Sequence, residues 1–386
     1  MGELEREWAS EVAQKIMKKE RAVARRNVGR IPYTAGADHR FNDQVGGGIG
    51  WWTNGFWGGM EWQLWNACHE DVFRENAIFT EEQMDAVFMD YNAMDHDSGF
   101  RWLPTAVANY RLFGGRKSRN RGLLAAANLA GRFNGNGNFI RAWNDWGDGK
   151  DTTGWAIIDC MMNLPLLYWA SKELGDPRFR RIAMAHADTA AKSFIREDGS
   201  VRHIVEFHPE TGEYLREHGG QGMGEGSSWT RGQSWALYGF TLSFHHAREK
   251  RYLDVACKVA DTFVKSVPKS GLIPVDFDQP DEVKWQDGTA AAIAACGLLT
   301  LADELEGMAA EKQGGEERIP SYRQTAIKLL RALDEKNCDY DPEHDELLTK
   351  CSAAYHDGKH DFPSIYGDYY FIEAIWKLTG QELFLW

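Results

Sequence analysis

The sequence predicts an all-α fold, specifically an (α/α)6 barrel, and three observations lead there. Helix start and stop signals recur along the 386 residues while strand signals are few, and reading them in turn gives about twelve helices. From residue 154 onward, helices apolar nearly all round alternate with amphipathic ones, as an inner ring inside an outer ring would require. The long non-helical stretches hold most of the glycines, histidines and isolated aromatics, and loops of that length in a compact domain are usually functional. No fixed-period repeat supports the rival α-solenoid. No interdomain linker is visible, so residues 1–386 are expected to form one domain.

The helices are expected near 4–26, 55–68, 80–95, 100–113, 119–132, 154–174, 177–195, 231–248, 251–267, 288–306, 321–336 and 367–379. Thr80-Glu81-Glu82-Gln83 has the pattern of a capping box and is taken to open the third. The sixth, around Ile157-Ile158-Asp159-Cys160-Met161-Met162, is apolar on nearly every side. Gly175-Asp176-Pro177 gives a Gly stop, an Asp N-cap and a Pro at the first helical position. Beyond it Phe179, Ile182, Ala183, His186, Ala190 and Phe194 share one face, and Asp198-Gly199 makes a turn. The segments at 251–267 and 321–336 are amphipathic like 177–195, whereas 288–306 is buried all round like 154–174.

Composition narrows the function. The chain carries 44 basic and 57 acidic residues, net −13, which argues against nucleic acid or an anionic membrane as main partner but leaves room for a small anionic ligand. Sixteen Trp, 13 Tyr and 19 Phe exceed the needs of a core this size. Many of the Trp lie among Gly and polar residues, as in Gly50-Trp51-Trp52-Thr53-Asn54-Gly55-Phe56-Trp57, a setting in which flat rings pack against apolar faces of ligands, sugars included. The six cysteines show no metal-ligand spacing and suit a reduced, cytoplasmic protein. The charged N-terminus has no apolar signal core, and no stretch approaches the roughly 18 apolar residues of a membrane span.

Three places hold chemistry. Asp159 is a carboxylate flanked almost entirely by apolar side chains. Either it is a hydrogen-bonded Asp inside a bundle, or burial raises its pKa and makes it a general acid. Asp95-His96-Asp97-Ser98-Gly99-Phe100 lies at a helix junction, where Asp97 serves as a cap or as an acid; no further ligands at suitable spacing support a metal. In Ser228-Trp229-Thr230-Arg231-Gly232-Gln233-Ser234-Trp235, polar loop runs into buried helix. Arg231 there either bridges loop to helix or holds a carboxylate between two Trp rings. No nucleophile elbow, P-loop or dinucleotide fingerprint appears.

These blocks resemble the unsaturated glucuronyl hydrolases of glycoside hydrolase family 88, over most of the chain from Trp52-Thr53-Asn54-Gly55-Phe56-Trp57 to Tyr366-Gly367-Asp368-Tyr369-Tyr370-Phe371. The resemblance implies an (α/α)6 barrel without metal or organic cofactor. It implies substrates made by polysaccharide lyases, namely oligosaccharides of glycosaminoglycan or related origin ending in a 4,5-unsaturated uronic acid. Asp159 matches the family's general acid/base and Asp97 the second essential carboxylate. Trp52, Trp143, His203, Gln221, Trp229, Arg231 and Trp235 match positions lining the sugar site, with a loop of different length at His203; His96 and Lys359 join them as binding residues. The implied reaction is protonation of C4 of a vinyl ether, hydration at C5 and ring opening, with Asp97 raising the Asp159 pKa by like-charge repulsion. Two departures stand out. Asn54 replaces an Asp, and Ala354-Tyr355-His356-Asp357-Gly358-Lys359 replaces a Ser-x-x-Ser-x-Lys motif of members that accept sulfated sugars. Since Asp357 would repel a sulfate, unsulfated or differently sulfated substrates are expected.

The rival readings are an unsaturated rhamnogalacturonyl hydrolase, a sugar 2-epimerase on the same barrel, for which no pair of facing histidines can be nominated, and a non-catalytic glycan-binding barrel. Oligomeric state, monomer or dimer, is not legible.

Overall fold

The computed structural model describes residues 2–145, 147, 149–310 and 315–386. In chain order the helices are α1 (Glu3–Arg26), α2 (Asn54–Cys68), α3 (Asp71–Gln83), α4 (Ser98–Trp102), α5 (Ala108–Phe113), α6 (Arg116–Gly131), α7 (Leu164–Leu174), α8 (Pro177–Ser193), α9 (Thr230–Ala247), α10 (Lys250–Ser266), α11 (Gly288–Ala310), α12 (Ile319–Lys336) and α13 (Ile365–Thr379). A π-helical turn, Leu103–Val107, joins α4 to α5 in one continuous rod. Pro104 there has no N–H to give an α-helical ladder. The thirteen α-helices therefore make twelve rods among the described residues.

The rods alternate between two rings from the first helix onward. α2, α4–α5, α7, α9, α11 and α13 form the inner ring; each packs on the next, and α13 closes the circle against α2. α1, α3, α6, α8, α10 and α12 lie outside, and their faces sort by polarity. α10 buries Tyr252, Leu253, Ala256, Cys257, Val259, Ala260 and Phe263 on one side, whereas α9 is buried over nearly its whole surface. α11 is the one described helix long and apolar enough to cross a membrane, and it is a core helix here, held between α9, α12 and α13.

Short antiparallel strands decorate one end: β1 (Pro32–Ala35) with β2 (Phe41–Asp43), β3 (Phe133–Asn134) with β4 (Phe139–Ile140), and a three-stranded sheet in the order β5 (Trp155–Ile157), β6 (Ile204–Phe207), β7 (Tyr214–His218).

Two expected helices are corrected. The apolar run at 154–163 is not α-helical. Trp155 pairs with Glu206 and Ile157 with Ile204 in the sheet, residues Ile158–Met162 form a 3-10 turn, and the α-helix begins only at Leu164. Pro165 sits in the first turn of α7, where a missing N–H costs nothing; inside a helix starting at 154 it would have broken the ladder. The third helix starts at Asp71, not at residue 80. Thr80 lies within it and turns its hydroxyl back to Asn76 O at 2.9 Å, so its capping-box pattern is not used. The Gly175-Asp176-Pro177 boundary behaves as expected: Asp176 accepts the Arg178 N–H at 2.9 Å and caps α8.

Candidate active site

Because inner and outer helices alternate, the six inner helices run the same way, and their N-termini meet at one mouth. Trp52, just before α2, has its ring 4.9 Å from Tyr366 at the start of α13. Phe100 of α4 lies 5.1 Å from Trp235 of α9. The positive ends of six helix dipoles therefore face the same space, which favours an anionic ligand.

Asp159 occupies the 3-10 turn that carries the chain from β5 into α7. Burial pushes its pKa up to about 7, against the pull of the Arg231 charge. Its Oδ1 is buried with no hydrogen-bond partner, and His203 Nε2 stands 3.8 Å away. His203 Nδ1 accepts the Gln221 backbone N–H at 2.9 Å, so the neutral ring carries its proton on Nε2, toward Asp159. Burial holds that ring neutral, with its pKa lowered to about 3. Gly220 makes the arrangement possible: its φ is +57°, and a Cβ there would come within 2.0 Å of His203 Nδ1.

Asp97 immediately precedes α4 but does not cap it with its side chain. The turn is made instead by Asp95, whose Oδ1 takes the Asp97 N–H at 2.9 Å and an Arg101 N–H. Asp97 Oδ1 lies 3.3 Å from Asn163 Nδ2 and 3.5 Å from His96 Nε2. Its pKa is pushed well up, by burial first and by the Asp95 charge next, with the Asp159 charge adding to the rise. The repulsion expected to raise Asp159 thus acts on Asp97, and Asp159 owes its shift to burial. Near neutrality the pair keeps a proton that exposed carboxyls would have lost. His96 is neutral, its pKa lowered by burial to about 4.

Asn163 ties the Asp97 carboxylate to the backbone carbonyl of Asp159, a role not apparent from sequence. Its Nδ2 reaches Asp97 Oδ1 and, at 3.2 Å, Asp159 O, while its Oδ1 accepts the Phe100 N–H at 2.8 Å. The approach requires glycine at 99, where a Cβ would meet Asn163 Cα at 2.5 Å. A polar residue four positions after Asp159 in an otherwise apolar run was the available signal.

Arg231 is buried and spends most of its donors on the protein. Nη1 pairs with Asp287 and donates to Ser352 O at 2.6 Å; Nη2 donates to Ala353 O at 2.5 Å. The guanidinium lies over the Trp229 ring at 4.5 Å. It therefore bridges loop to helix, and it acts on Asp159 through its charge. Asp287, also unread in the sequence, accepts the Thr289 N–H at 3.1 Å at the start of α11 while its other oxygen holds Arg231; an Asp before an apolar helix reads as an ordinary cap.

Trp229 leans on His203, with centroids 4.3 Å apart. Trp52 and Trp235 both touch Phe100, at 5.5 and 5.1 Å. Gln221 donates its amide to Ala353 O at 2.9 Å and so secures the same loop as Arg231. Trp143 stands farther out, 6.1 Å from Trp155. Lys359 is not in the buried group: it is exposed, with Nζ 5.7 Å from the Phe362 ring. Asn54 donates to Gly48 O and Ile49 O at 2.9 and 2.8 Å, two contacts an Asp could not make. Five candidates, His96, Asp159, His203, Trp229 and Trp235, own a buried polar atom without a partner.

A family model described as Glycosyl Hydrolase Family 88 matches residues 8–374. The chain is 33% identical over 363 residues to an unsaturated glucuronyl hydrolase of Bacillus sp. (strain GL1), covering 92% of this chain and 93% of the relative. It is 33% identical over 346 residues to an unsaturated chondroitin disaccharide hydrolase of Streptococcus pneumoniae, covering 87% and 83%. It superposes with a TM-score of 0.86 on the crystal structure of the Bacillus sp. GL1 unsaturated glucuronyl hydrolase, described as responsible for the degradation of glycosaminoglycan, at 30% identity over 97% of this chain and 96% of that one.

Proposed function

Since the chain belongs to glycosyl hydrolase family 88, we propose that it releases the 4,5-unsaturated uronic acid from the non-reducing end of lyase-generated oligosaccharides, glycosaminoglycan disaccharides among them. The observation that carries the mechanism is Asp159: a largely buried carboxyl at the mouth, its pKa raised to about 7, with an unpartnered oxygen. One residue that first gives and then takes a proton needs a pKa near the working pH.

Ordinary glycosidases use two carboxylates at the anomeric carbon. Here the substrate ring is a vinyl ether, and Asp159 gives its proton to C4. The positive charge that develops at C5 is shared with the ring oxygen and faces the oxygens of Asp97. The Asp159 carboxylate then takes a proton from water as the water oxygen bonds to C5. The resulting C5 hemiketal opens to a ketone, leaving an acyclic hemiacetal at C1, and its collapse to the aldehyde expels the remaining sugar. The substrate carboxylate is drawn by the helix N-termini and the Arg231 charge; Trp52, Trp229 and Trp235, with Trp143 farther out, supply the ring faces. His96, His203 and Gln221 serve as neutral partners of sugar and carboxylates.

The reading extends to unsulfated or differently sulfated substrates. Asp357 accepts the Lys359 backbone N–H at 2.8 Å, which keeps a carboxylate beside the one lysine of this loop segment. It also places the reaction in the cytoplasm, consistent with six free cysteines.

The test is loss of the ultraviolet absorbance of the conjugated double bond in unsaturated disaccharides from chondroitin, hyaluronan, heparin and pectin lyases. Wild type is expected to bleach at least one of them and Asp159→Asn none. Retained turnover in Asp159→Asn would remove Asp159 from the mechanism.

A further inference from the structure

Outside the mouth, two loops meet at the seam where α13 closes the ring against α2, and they carry a cluster the reaction does not use. His39 lies in the turn between β1 and β2, ahead of α2. Asp339, His344 and Glu346 lie on the loop between α12 and α13. The imidazoles of His39 and His344 stack with centroids 3.8 Å apart and planes 14° from parallel. One ring nitrogen from each and one Asp339 carboxylate oxygen all lie within 4.8 Å of one another.

The surroundings have the character of a built site. His344 Nδ1 is 2.7 Å from Asp339 Oδ2, and His39 Nδ1 is 2.5 Å from Glu346 Oε1. The Glu346 carboxylate on Nδ1 of His39 fixes that imidazole and leaves its other nitrogen for a metal, while Asp339 and His344 face each other as neighbouring ligands would. The Glu346 side chain is only 3% exposed, and its Oε2 is buried without a partner, an arrangement that a nearby cation would offset. His39 has φ +58°, unusual for a residue with a Cβ. It is held there by the Asp345 N–H, which donates to His39 O at 3.0 Å, and by Asp345 Oδ2, which accepts the Phe41 N–H at 2.9 Å.

We propose that His39, His344 and Asp339 bind a divalent first-row transition ion, with Glu346 orienting His39. Two imidazole nitrogens with a carboxylate oxygen suit zinc and its neighbours, not calcium or magnesium, which take oxygen ligands. The ion ties the loop before α2 to the loop before α13 and so clasps the barrel at its closure. No sequence spacing announces it, because the ligands come from opposite ends of the chain.

Chelator-treated protein titrated with zinc is expected to bind one equivalent by calorimetry. Tm should rise by about 3 °C at a hundredfold excess of free zinc over Kd. His39→Asn, which tolerates left-handed backbone, and His344→Ala should each abolish both effects, while His69→Ala, at an exposed histidine, keeps them. Asp339→Asn, a near-isosteric change, should weaken binding at least tenfold and serves if an imidazole variant does not fold. Wild type that binds no zinc, or folded His39→Asn, His344→Ala and Asp339→Asn proteins that bind it as wild type does, would overturn the proposal.

Discussion

His203 Nε2 faces Asp159 Oδ1 at 3.8 Å, and the opposite nitrogen of the same ring is committed to the Gln221 N–H. The backbone thus sets the tautomer that the carboxyl meets. His203→Phe would keep a ring against Trp229 but lose the N–H. It is expected to lower kcat about 10–100-fold, the range for misplacing a reacting group, with a smaller change in KM. Steady-state kinetics on an unsaturated disaccharide would show it; an unchanged kcat would separate His203 from the chemistry.

The pH profile follows from Asp159. Transfer to C4 needs the protonated acid, and its pKa is raised to about 7. The sign is therefore that kcat/KM falls about tenfold per pH unit above that value. A profile flat from pH 6 to 9, recorded with stability checked at each pH, would contradict the assignment.

Asn163→Ala removes the donor to Asp97 and strands the Phe100 N–H, which is buried. The orphaned group costs about 1–3 kcal/mol, so Tm should drop and kcat should fall with it. Denaturant unfolding alongside kinetics separates the two effects.

Arg231→Lys keeps the charge and loses the fork that holds Asp287, Ser352 O and Ala353 O. KM should rise at least tenfold, and limited proteolysis should cut residues 352–362 faster than in wild type.

Glu20, buried on α1, has its pKa raised by burial to about 8. Because the folded state holds this proton more tightly than the unfolded chain, the group weakens stability as pH rises from about 4 through 8. Glu20→Gln should therefore leave Tm nearly unchanged at pH 5 and raise it at pH 9, by up to about 4 kcal/mol of stability.

Helix capping at Gly175-Asp176-Pro177 was legible because the cap is local chemistry. The inner ring showed only from residue 154 because α2 buries Glu61 and Gln63, polar residues that mask a core helix. The run at 155–163 looked helical because apolar periodicity cannot separate a buried strand and turn from a buried helix; Pro165 was the discriminating residue. Asp159 stood out as a charge among hydrophobes, and Asp97 through its block. Asn163 and Asp287 did not, since their roles depend on partners 66 and 56 positions away. The shift of like-charge repulsion from Asp159 to Asp97 depends on Asp95 and on relative burial, which only the fold defines.

Proton delivery to C4 is tested most directly by running the first turnovers in D2O and reading the product by NMR. With Asp159 as the donor, wild type should place a single deuterium on one face of C4 as the vinyl signal disappears and the reducing-side sugar is released in equal amount. A released uronate that keeps its vinyl proton and its double bond would mean cleavage at the anomeric carbon and would contradict the mechanism.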